Sequence, residues 1–225
     1  MSTQEVAVVV GAGPGLGDAL VARFAEAGMR VAAVSRKGVV AGPQRVAVHG
    51  YACDATVGEQ VRDLFDRVAD ELGPPSLVVF NVGIWDRGGI LEISDELFEQ
   101  AWRTGCFAGF LVGRAAAAAM LDRGQGGGTI IFSGATGSIR GGAGFAAFAS
   151  PKFALRALSQ SMARELGPKG IHVAHVVLDG MIAEGDPSER LLQPVAIAEA
   201  YYQLHLQHRT AWTQELDLRP SSEKF

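Results

Sequence analysis

The sequence predicts an α/β fold in which one parallel sheet is covered by helices on both faces. Short β-branched runs alternate with longer helical patterns along the 225 residues. The β-branched runs are apolar on successive residues, which is typical of strands that are buried on both faces. No repeat, low-complexity tract or Pro/Ser linker divides the chain. We therefore predict a single domain over residues 1–225.

Six runs are predicted to be strands because they are apolar in succession and bounded by turn residues. They lie at 6–10, 31–34, 46–48, 77–80, 129–132 and 171–177. Helical patterns lie between most of them, and parallel strands need such crossovers because a tight turn cannot join them. The order of these elements predicts a doubly wound sheet.

Five segments are predicted to be helices, at 16–27, 57–72, 95–122, 148–166 and 194–205. The second carries the clearest pattern, since Val61, Leu64, Phe65 and Val68 recur at spacings of three and four residues. That spacing places apolar side chains along one stripe of a helix. These helices are expected to cover the two faces of the sheet.

Two connections depart from the regular alternation. About ten residues, 36–45, separate the second and third predicted strands, whereas a parallel crossover usually takes a dozen or more. Gly38, Gly42 and Pro43 disfavour a helix there, so we predict a shortened loop. The segment at about 180–193 is polar and rich in turn residues, and it follows the last long strand. Its position predicts a short lid over a substrate, with an ordinary surface connection as the alternative.

Composition excludes some classes of function. The net charge of -4 and a pI of about 5.7 give no reason to expect binding to nucleic acid or to an anionic membrane. Cys53 and Cys106 lack metal-ligand spacing and are expected to be reduced and buried. The histidines show no ligand pattern, so no metal is predicted. No signal peptide and no apolar run of about 20 residues is evident, which predicts a soluble cytoplasmic protein.

A glycine-rich loop between the first strand and the first helix is the strongest motif. Gly11, Gly13, Gly15 and Gly17 follow the strand, and Leu16 lies among them where the helix opens. Such a loop lets the backbone approach a diphosphate, while the helix start offers free N–H groups and its positive end. We predict a Rossmann-like dinucleotide site. The alternative is that the glycines serve tight packing alone.

The residues after the second strand bear on the choice of cofactor. An acidic residue there would bind the adenosine ribose and repel a 2′-phosphate, but this chain has Ser35, Arg36 and Lys37. A guanidinium can pair with phosphate through two hydrogen bonds. NADP(H) is therefore favoured, and NAD(H) remains possible. The alternative is that the basic residues are merely solvated.

With these elements, the chain resembles the short-chain dehydrogenases/reductases over nearly its full length. The family's Thr-Gly-x-x-x-Gly-x-Gly turn is similar to the glycine loop, with Val10 in the Thr position. The resemblance implies further cofactor contacts after the third, fourth and sixth strands and on the active-site helix. The residues concerned are Asp54, Ala55, Asn81, Gly83, Gly180, Ile182 and Lys152. In the family, the Lys holds the nicotinamide ribose.

The family's catalytic tetrad of Asn, Ser, Tyr and Lys is matched only in part. Lys152 takes the Lys position, but the Tyr four residues earlier is Phe148. The usual interval of thirteen residues leads back to Ala135 instead of Ser, and the Asn position falls near Gly105. A positioned acid typically contributes about 10²–10⁴ in rate. The chain is therefore predicted to be an atypical member of the family that lacks the catalytic Tyr.

Other groups are candidates for the missing chemistry. Ser133 and Thr136 flank the vacant Ser position and could bind a substrate oxygen, or they could be turn residues. Lys152 could act as acid or base if apolar neighbours such as Phe148 lower its pKa, although ribose holding is expected first. Asp179 is a possible base or a turn residue. Trp85 is expected at the substrate mouth or in a plain loop.

The resemblance implies an oxidoreductase that uses NADP(H) on a small carbonyl or hydroxyl compound. Loss of three tetrad residues leaves two alternatives open: a non-redox cyclase, isomerase or dehydratase that reuses the fold, or a non-catalytic homologue. In the family, the helices at 95–122 and 148–166 form a subunit interface. A homodimer or homotetramer is therefore expected, unless the alanines of these helices only pack on their own sheet.

Overall fold

The computed structural model describes residues 4–38, 47–122, 127–185 and 190–222, and it contains a seven-stranded parallel sheet. The strand order is β3-β2-β1-β4-β5-β6-β7. The strands are β1 Val6–Val10, β2 Arg30–Ser35, β3 Val48–Ala52, β4 Leu77–Phe80, β5 Gly128–Ser133, β6 Ile171–Leu178 and β7 Glu215–Leu218. The predicted doubly wound parallel sheet is confirmed.

Six α-helices of the described residues cover the sheet. They are α1 Leu16–Glu26, α2 Gly58–Glu71, α3 Asp95–Trp102, α4 Ala108–Asp122, α5 Ala146–Leu166 and α6 Pro194–His205. A π-helical turn, Arg103–Phe107, joins α3 to α4. The segment at 95–122, predicted to be one helix, is therefore interrupted by a π turn, a feature that often marks functional sites.

Two apolar cores lie on opposite faces of the sheet. Side chains of α2, α4 and α5 pack on one face, and those of α1 and α6 pack on the other. The pleat of β1 supplies both cores, since Val8 joins the first and Val9 joins the second. Burial on both faces is the reason that the central strands are apolar on successive residues.

The order of the strands creates a crevice beside β1. This strand lies between β2 and β4, and Val10 is in register with Phe80. The chain passes to opposite sides of the sheet at this point, so the loops after β1 and β4 separate. Ligands of doubly wound sheets bind in such a crevice, outside the carboxyl ends of the strands.

The edges of the sheet differ from the sequence prediction. The third strand was predicted at 46–48, but β3 begins at residue 48, and residue 46 lies outside the described residues. In β3, His49 and Gly50 are exposed and Tyr51 is buried, so the strand has no continuous apolar run. The other edge strand, β7, was not predicted because its Glu215–Leu218 sequence alternates charged and apolar residues. Edge strands need less apolar character than central ones.

One helical stretch meets a membrane-span criterion. Among the described residues, Asp95–Asp122 is 28 residues long and contains an 18-residue window with a mean hydropathy of 1.5, which is enough to cross a membrane by length and composition. The prediction that no stretch reaches this length is therefore wrong. However, half of its most apolar window is buried inside the protein, and the core helix of a soluble protein passes the same test. The finding is weak evidence for a span.

The two unusual connections are described in part. Arg36 and Lys37 form a turn after β2, and Gly38 follows with a φ of 65°. Residues 39–46 lie outside the described residues, so the shortened loop stays a prediction. In the predicted lid, Ile182 pairs with Leu192 in an isolated parallel bridge. Residues 186–189 of that segment also lie outside the described residues.

Candidate active site and cofactor groove

Two adjoining clefts follow the carboxyl edge of the sheet. The large cleft has a volume of about 1000 Å³ and the small cleft about 540 Å³. Gly11, Gly13, Val82 and Gly83 line both of them. The two clefts therefore form one groove across the crevice beside β1.

The glycine loop is shaped by close backbone contacts. Gly11 has a φ of 97°, and a Cβ there would overlap the carbonyl of Asn81. A Cβ on Gly17 would overlap the carbonyl oxygen of Gly11. A Cβ on Gly13, by contrast, would meet nothing within 4 Å, because this residue faces open space. Helix α1 begins at Leu16 without a side-chain cap, and Leu16 and Gly17 of its first turn line the large cleft. This arrangement fits a diphosphate.

The candidate cofactor residues from the sequence all line the groove. The large cleft is lined by Gly11, Gly13, Gly15, Leu16, Gly17, Asn81, Gly83, Lys152, Gly180 and Ile182. The small cleft is lined by Ser35, Arg36, Asp54 and Ala55. The fold thus brings together residues that are up to about 170 positions apart in sequence. Their roles in binding remain predictions.

Charged side chains face one another in the small cleft. Asp54 Oδ1 accepts hydrogen bonds from Thr56 Oγ1 at 2.7 Å and from Thr56 N at 2.9 Å. These bonds, aided by the charges of Arg36 and Arg103, hold the pKa of Asp54 below its usual value. Ser35 Oγ accepts a bond from Gly38 N at 3.1 Å, which leaves its own O–H free to donate. Arg103, which also lines this cleft, was not identified from the sequence.

Lys152 projects from α5 into the large cleft. Only 7% of the residue is exposed, and its Nζ donates a hydrogen bond to the carbonyl oxygen of Ser133 at 2.8 Å. A Cβ on Gly83 would lie 3.3 Å from this Nζ, so the absence of a side chain at Gly83 leaves room for the ammonium. Burial lowers the pKa of Lys152 to about 8.

The two candidate hydroxyls have partners inside the protein. Ser133 Oγ lies 2.9 Å from the hydroxyl of Tyr201, a fully buried residue of α6. Thr136 Oγ1 donates to Asp179 Oδ1 at 2.5 Å. Both residues line the large cleft. Because the proton of Thr136 is held by Asp179, Thr136 can offer a substrate oxygen no hydrogen bond in this arrangement.

Asp179 is the centre of a buried ionic cluster. The residue is 3% exposed, and its carboxylate lies 3.3 Å from Arg219 Nη2 and 3.9 Å from Arg140 Nη2, in addition to the bond from Thr136. The arrangement favours an anchoring role for Asp179 over the role of a free base.

The aromatic residues of the large cleft come from two loops. Phe148 and Phe145 lie near the start of α5, with ring centroids 6.5 Å apart, and Trp85 contacts Phe145 at 6.2 Å. A Cβ on Gly137 would lie 2.9 Å from Phe148 Cε1, so the ring packs on the loop after β5. Ala135 lines the same cleft. No hydroxyl stands at either position.

Gly105 does not line either cleft. It lies in the π turn between α3 and α4, where a Cβ would come within 2.9 Å of Pro151 Cβ. The turn is therefore packed directly against α5, one residue before Lys152. A larger side chain at Gly105 would require Pro151 to move.

Sequence reasoning missed a buried imidazole beneath the large cleft. His175 on β6 is fully buried, and neither ring nitrogen has a hydrogen-bond partner among the described residues. A Cβ on Gly134 would overlap this ring, so the imidazole lies directly under the loop after β5. Burial lowers the pKa of His175 to about 4, although Glu215 Oε2 lies 3.8 Å from Nδ1. Its position on a buried strand was the only signal available in the sequence.

The chain matches a family of known proteins over most of its length. The family model of short-chain dehydrogenases matches residues 5–187. The chain is 34% identical to (3R)-3-hydroxyacyl-CoA dehydrogenase from Mus musculus over 193 residues, which cover 79% of this chain and 74% of the relative. The likeness therefore includes the glycine loop, the loops after β4 and β5, and helix α5.

Solved structures show the same architecture. A short-chain dehydrogenase from Rhodopseudomonas palustris is 40% identical, with a TM-score of 0.82 and coverage of 96% of this chain and 98% of that one. A metagenomic short-chain oxidoreductase in complex with NADP is 24% identical, with a TM-score of 0.81 and coverage of 99% and 100%. The second likeness shows the fold alone.

Proposed function

Because the chain belongs to the short-chain dehydrogenase family, we propose that it is an NADP(H)-dependent oxidoreductase acting on a carbonyl or hydroxyl group of a small molecule. We propose further that Lys152 supplies the proton, in place of the Tyr that other members use. The observation that carries this proposal is the buried ammonium of Lys152 in the large cleft, beside the glycine loop. Family membership supports a nicotinamide cofactor and a small-molecule substrate.

The groove contains suitable groups for each part of such a cofactor. The start of α1 and the open face of Gly13 would hold the diphosphate, and Asp54 would lie near the adenine. Lys152 would contact the nicotinamide ribose, and the backbone near Gly180 would meet the carboxamide. When bound, the cofactor supplies the hydride. The residues of this chain provide orientation and the proton.

Arg36 supports NADP(H) over NAD(H). The residue is exposed in the turn after β2 and lines the small cleft, where an acidic residue would repel a 2′-phosphate. A guanidinium offers a planar pair of donors that suits phosphate. The free hydroxyl proton of Ser35 adds a third donor beside it.

The other side chains around Lys152 support its role as the proton donor. Among the described residues that line the large cleft, Lys152 and Arg140 are the only two with an ionisable group that is cationic, and none is acidic. Arg does not release its proton in proteins. The pKa of Lys152, lowered to about 8, lies near neutral pH, where an acid catalyst is most effective.

The ammonium also has enough donors for two tasks. One N–H is bonded to the carbonyl oxygen of Ser133, and two remain. One of them would hold the ribose and the other would protonate the substrate oxygen. In this proposal Phe148, Ala135 and Gly105 hold the tetrad positions of Tyr, Ser and Asn, and Phe148 contributes apolar surface near Lys152.

The test combines binding with turnover. Calorimetry should detect NADPH binding that is tighter than NADH binding, and a panel of aldehydes and ketones should oxidise NADPH in an absorbance assay. The absence of heat with both cofactors would overturn the proposal. Tighter binding of NADH would overturn the assignment of Arg36.

A non-redox enzyme is the second candidate function. It is favoured by the committed hydroxyl proton of Thr136 and by the contact of Gly105 with Pro151, which leaves no space for an Asn. In that case NADPH would bind while a substrate is isomerised, cyclised or dehydrated without a change in NADPH absorbance. A non-catalytic homologue would bind the cofactor and convert nothing.

We also propose a homodimer or homotetramer. The outer surfaces of α3, α4 and α5 carry large apolar residues that are 38–43% exposed in the single chain, namely Phe98, Trp102, Phe110, Leu121 and Phe153. Exposed apolar patches on soluble proteins commonly mark interaction sites. Light scattering on the purified protein tests this, and a monomer at micromolar concentration would contradict it.

A further inference from the structure

An aromatic wall stands on one side of the large cleft. The rings of Trp85, Phe145 and Phe148 form a continuous chain with edge-to-face angles of 62° and 65°. They come from the loop after β4 and from the start of α5, so the fold brings them together over a long separation in sequence. Trp85 is 64% exposed, although an indole is among the largest apolar groups a protein can bury.

The loop after β5, which packs against these rings, carries few side chains. A Cβ on Gly142 would lie 3.2 Å from the ring of Phe145, and one on Gly137 would lie 2.9 Å from that of Phe148. At Gly141, which also lines the cleft, a Cβ would meet nothing within 4 Å. The rings of Phe145 and Phe148 therefore pack against glycine backbone, and open space lies beside them at Gly141. Such a space suits a flat group that can stack on an aromatic ring.

The rim of the same cleft carries an arginine. The side chain of Arg140 is 54% exposed, and its Nη2 is 3.9 Å from Asp179 Oδ1, beyond hydrogen-bond distance. Asp179 has closer partners in Thr136 and Arg219. The guanidinium of Arg140 therefore has donors to offer a ligand, and none of the described residues lining the cleft is acidic. An anionic group on the ligand would pair with this guanidinium.

We infer that the substrate is an aromatic carbonyl compound that carries a carboxylate. This inference rests on the proposed function. The ring of this compound lies against Trp85 and Phe148, its carboxylate pairs with Arg140, and its carbonyl points towards Lys152. The reaction adds a hydride from NADPH to the carbonyl carbon and a proton from Lys152 to the oxygen. The C=O bond becomes a C–OH group, NADPH becomes NADP⁺, and Lys152 regains its proton from water.

Three small aldehydes test the carboxylate and the aromatic ring of the inferred substrate separately. The reference probe is para-formylbenzoate; its methyl ester lacks the charge, and the saturated cyclohexane analogue lacks the flat ring. We expect kcat/KM for para-formylbenzoate to exceed that for each of the other two by at least about tenfold, which corresponds to 1.4 kcal/mol. The assay is the loss of NADPH absorbance with the full-length protein.

Substitutions at Arg140 and Trp85 test which residue causes each substrate preference. Arg140→Gln should abolish the preference over the ester and leave the preference over the saturated ring. Trp85→Leu should do the reverse, and Trp85→Phe should restore the preference for the flat ring because it keeps an aromatic face. Arg209→Gln, a surface change at an arginine over Trp212, serves as the control for loss of a guanidinium. NADPH affinity, measured by calorimetry, should be unchanged in all of these variants.

The outcomes separate this inference from the proposed function. Equal kcat/KM for the three aldehydes, or preferences that persist in Arg140→Gln and Trp85→Leu, would overturn the inference while NADPH oxidation upheld the proposed function. NADPH that does not bind, or that none of a wider carbonyl panel oxidises, would overturn both.

Discussion

The groove is built differently at its two ends. The dinucleotide end lies around Gly11 and Gly17, and the proton end lies around Lys152 and Phe148. At the dinucleotide end, the shape is set largely by backbone: Gly11 and Gly17 permit close contacts that a Cβ would block, and α1 presents its uncapped start. At the proton end, everything depends on side-chain chemistry, and Phe148 and Ala135 stand where hydroxyls are expected. In our proposal, cofactor binding and proton transfer are therefore separable, because backbone shape governs the first and side-chain chemistry governs the second.

The proton end also carries an energetic cost. Burial shifts the pKa of Lys152 from 10.5 to about 8, so the folded state favours the neutral amine relative to the unfolded chain. A shift of this size corresponds to about 3 kcal/mol. The cost is fully present below pH 8 and is relieved as the pH rises towards 10.5. A buried ammonium that destabilises the fold and lines a cleft is typical of a functional group.

The largest expected effect follows from removing that ammonium. Lys152→Met should reduce NADPH-dependent carbonyl reduction by about 10²–10⁴, the usual contribution of a positioned acid. The same variant should be more stable at pH 7, by up to about 3 kcal/mol, because the buried charge is gone. Steady-state kinetics and urea denaturation measure the two quantities.

The matched control for this variant is Lys169→Met. Lys169 lies on the surface, where its Nζ is 3.5 Å from Glu165, and its replacement should change neither activity nor stability appreciably. Retention of full activity in Lys152→Met would contradict the proton-donor role. In the native protein, any NADPH-dependent reduction rate should fall above about pH 8, as the ammonium loses its proton.

A smaller effect is expected from His175, beneath the proton end. Its folded pKa of about 4 lies below the value of 6.5 for an exposed imidazole, since burial and the charges of Lys152 and Arg156 outweigh the attraction of Glu215. The stability that the neutral imidazole of His175 contributes is therefore fully present above pH 6.5. About 3 kcal/mol of it should be lost as the pH falls to 4. His175→Gln should lose that much less over the same range.

Urea denaturation at a series of pH values measures this difference. His208→Gln is the control for loss of a histidine, because His208 is exposed on the surface. A His175→Gln profile that runs parallel to the native one between pH 6.5 and 4 would be inconsistent with a buried neutral imidazole.

The same contrast explains what the sequence could predict. The bounds of β4 and α6 were predicted correctly, at Leu77–Phe80 and Pro194–His205, because their apolar residues face the cores and produce a regular pattern. The edge strand β7 escaped prediction, and β3 was predicted to begin at residue 46 where it begins at residue 48, since half-exposed strands have no such pattern. Secondary structure was thus predictable where burial of the side chains imposes a regular apolar pattern on the sequence.

The site divides in a similar way. The candidate cofactor residues directly follow strands, and parallel strands end at one edge of the sheet, so local motifs were sufficient to find them. Arg140, His175 and Tyr201 gain their significance only from tertiary contacts: with Asp179, with the backbone at Gly134, and with Ser133. No local pattern distinguishes such residues from ordinary surface or core positions.

At the dinucleotide end, Arg36→Ala should weaken NADPH binding by about 10- to 10²-fold, because a charge-assisted hydrogen bond contributes about 1.5–3 kcal/mol. NADH affinity should remain the same, since NADH has no 2′-phosphate. Lys37→Ala provides the neighbouring control and should have the smaller effect, because an ammonium cannot form the paired contact of a guanidinium. Calorimetry with both cofactors gives the four affinities, and an equal loss for NADPH and NADH would refute the role of Arg36.

The smallest expected effect comes from adding one methyl group to the groove. Gly13→Ala should leave the free energy of unfolding nearly unchanged, because its Cβ would meet no atom within 4 Å and the backbone needs no left-handed φ there. The same Cβ would occupy space in the groove that both clefts share, so NADPH affinity should fall by about tenfold, or 1.4 kcal/mol. Gly167→Ala, equally free of neighbours but remote from the groove, should change neither quantity. If Gly13→Ala bound NADPH as tightly as the native protein, the diphosphate could not lie against this loop, and the backbone-based account of the dinucleotide end would have to be abandoned.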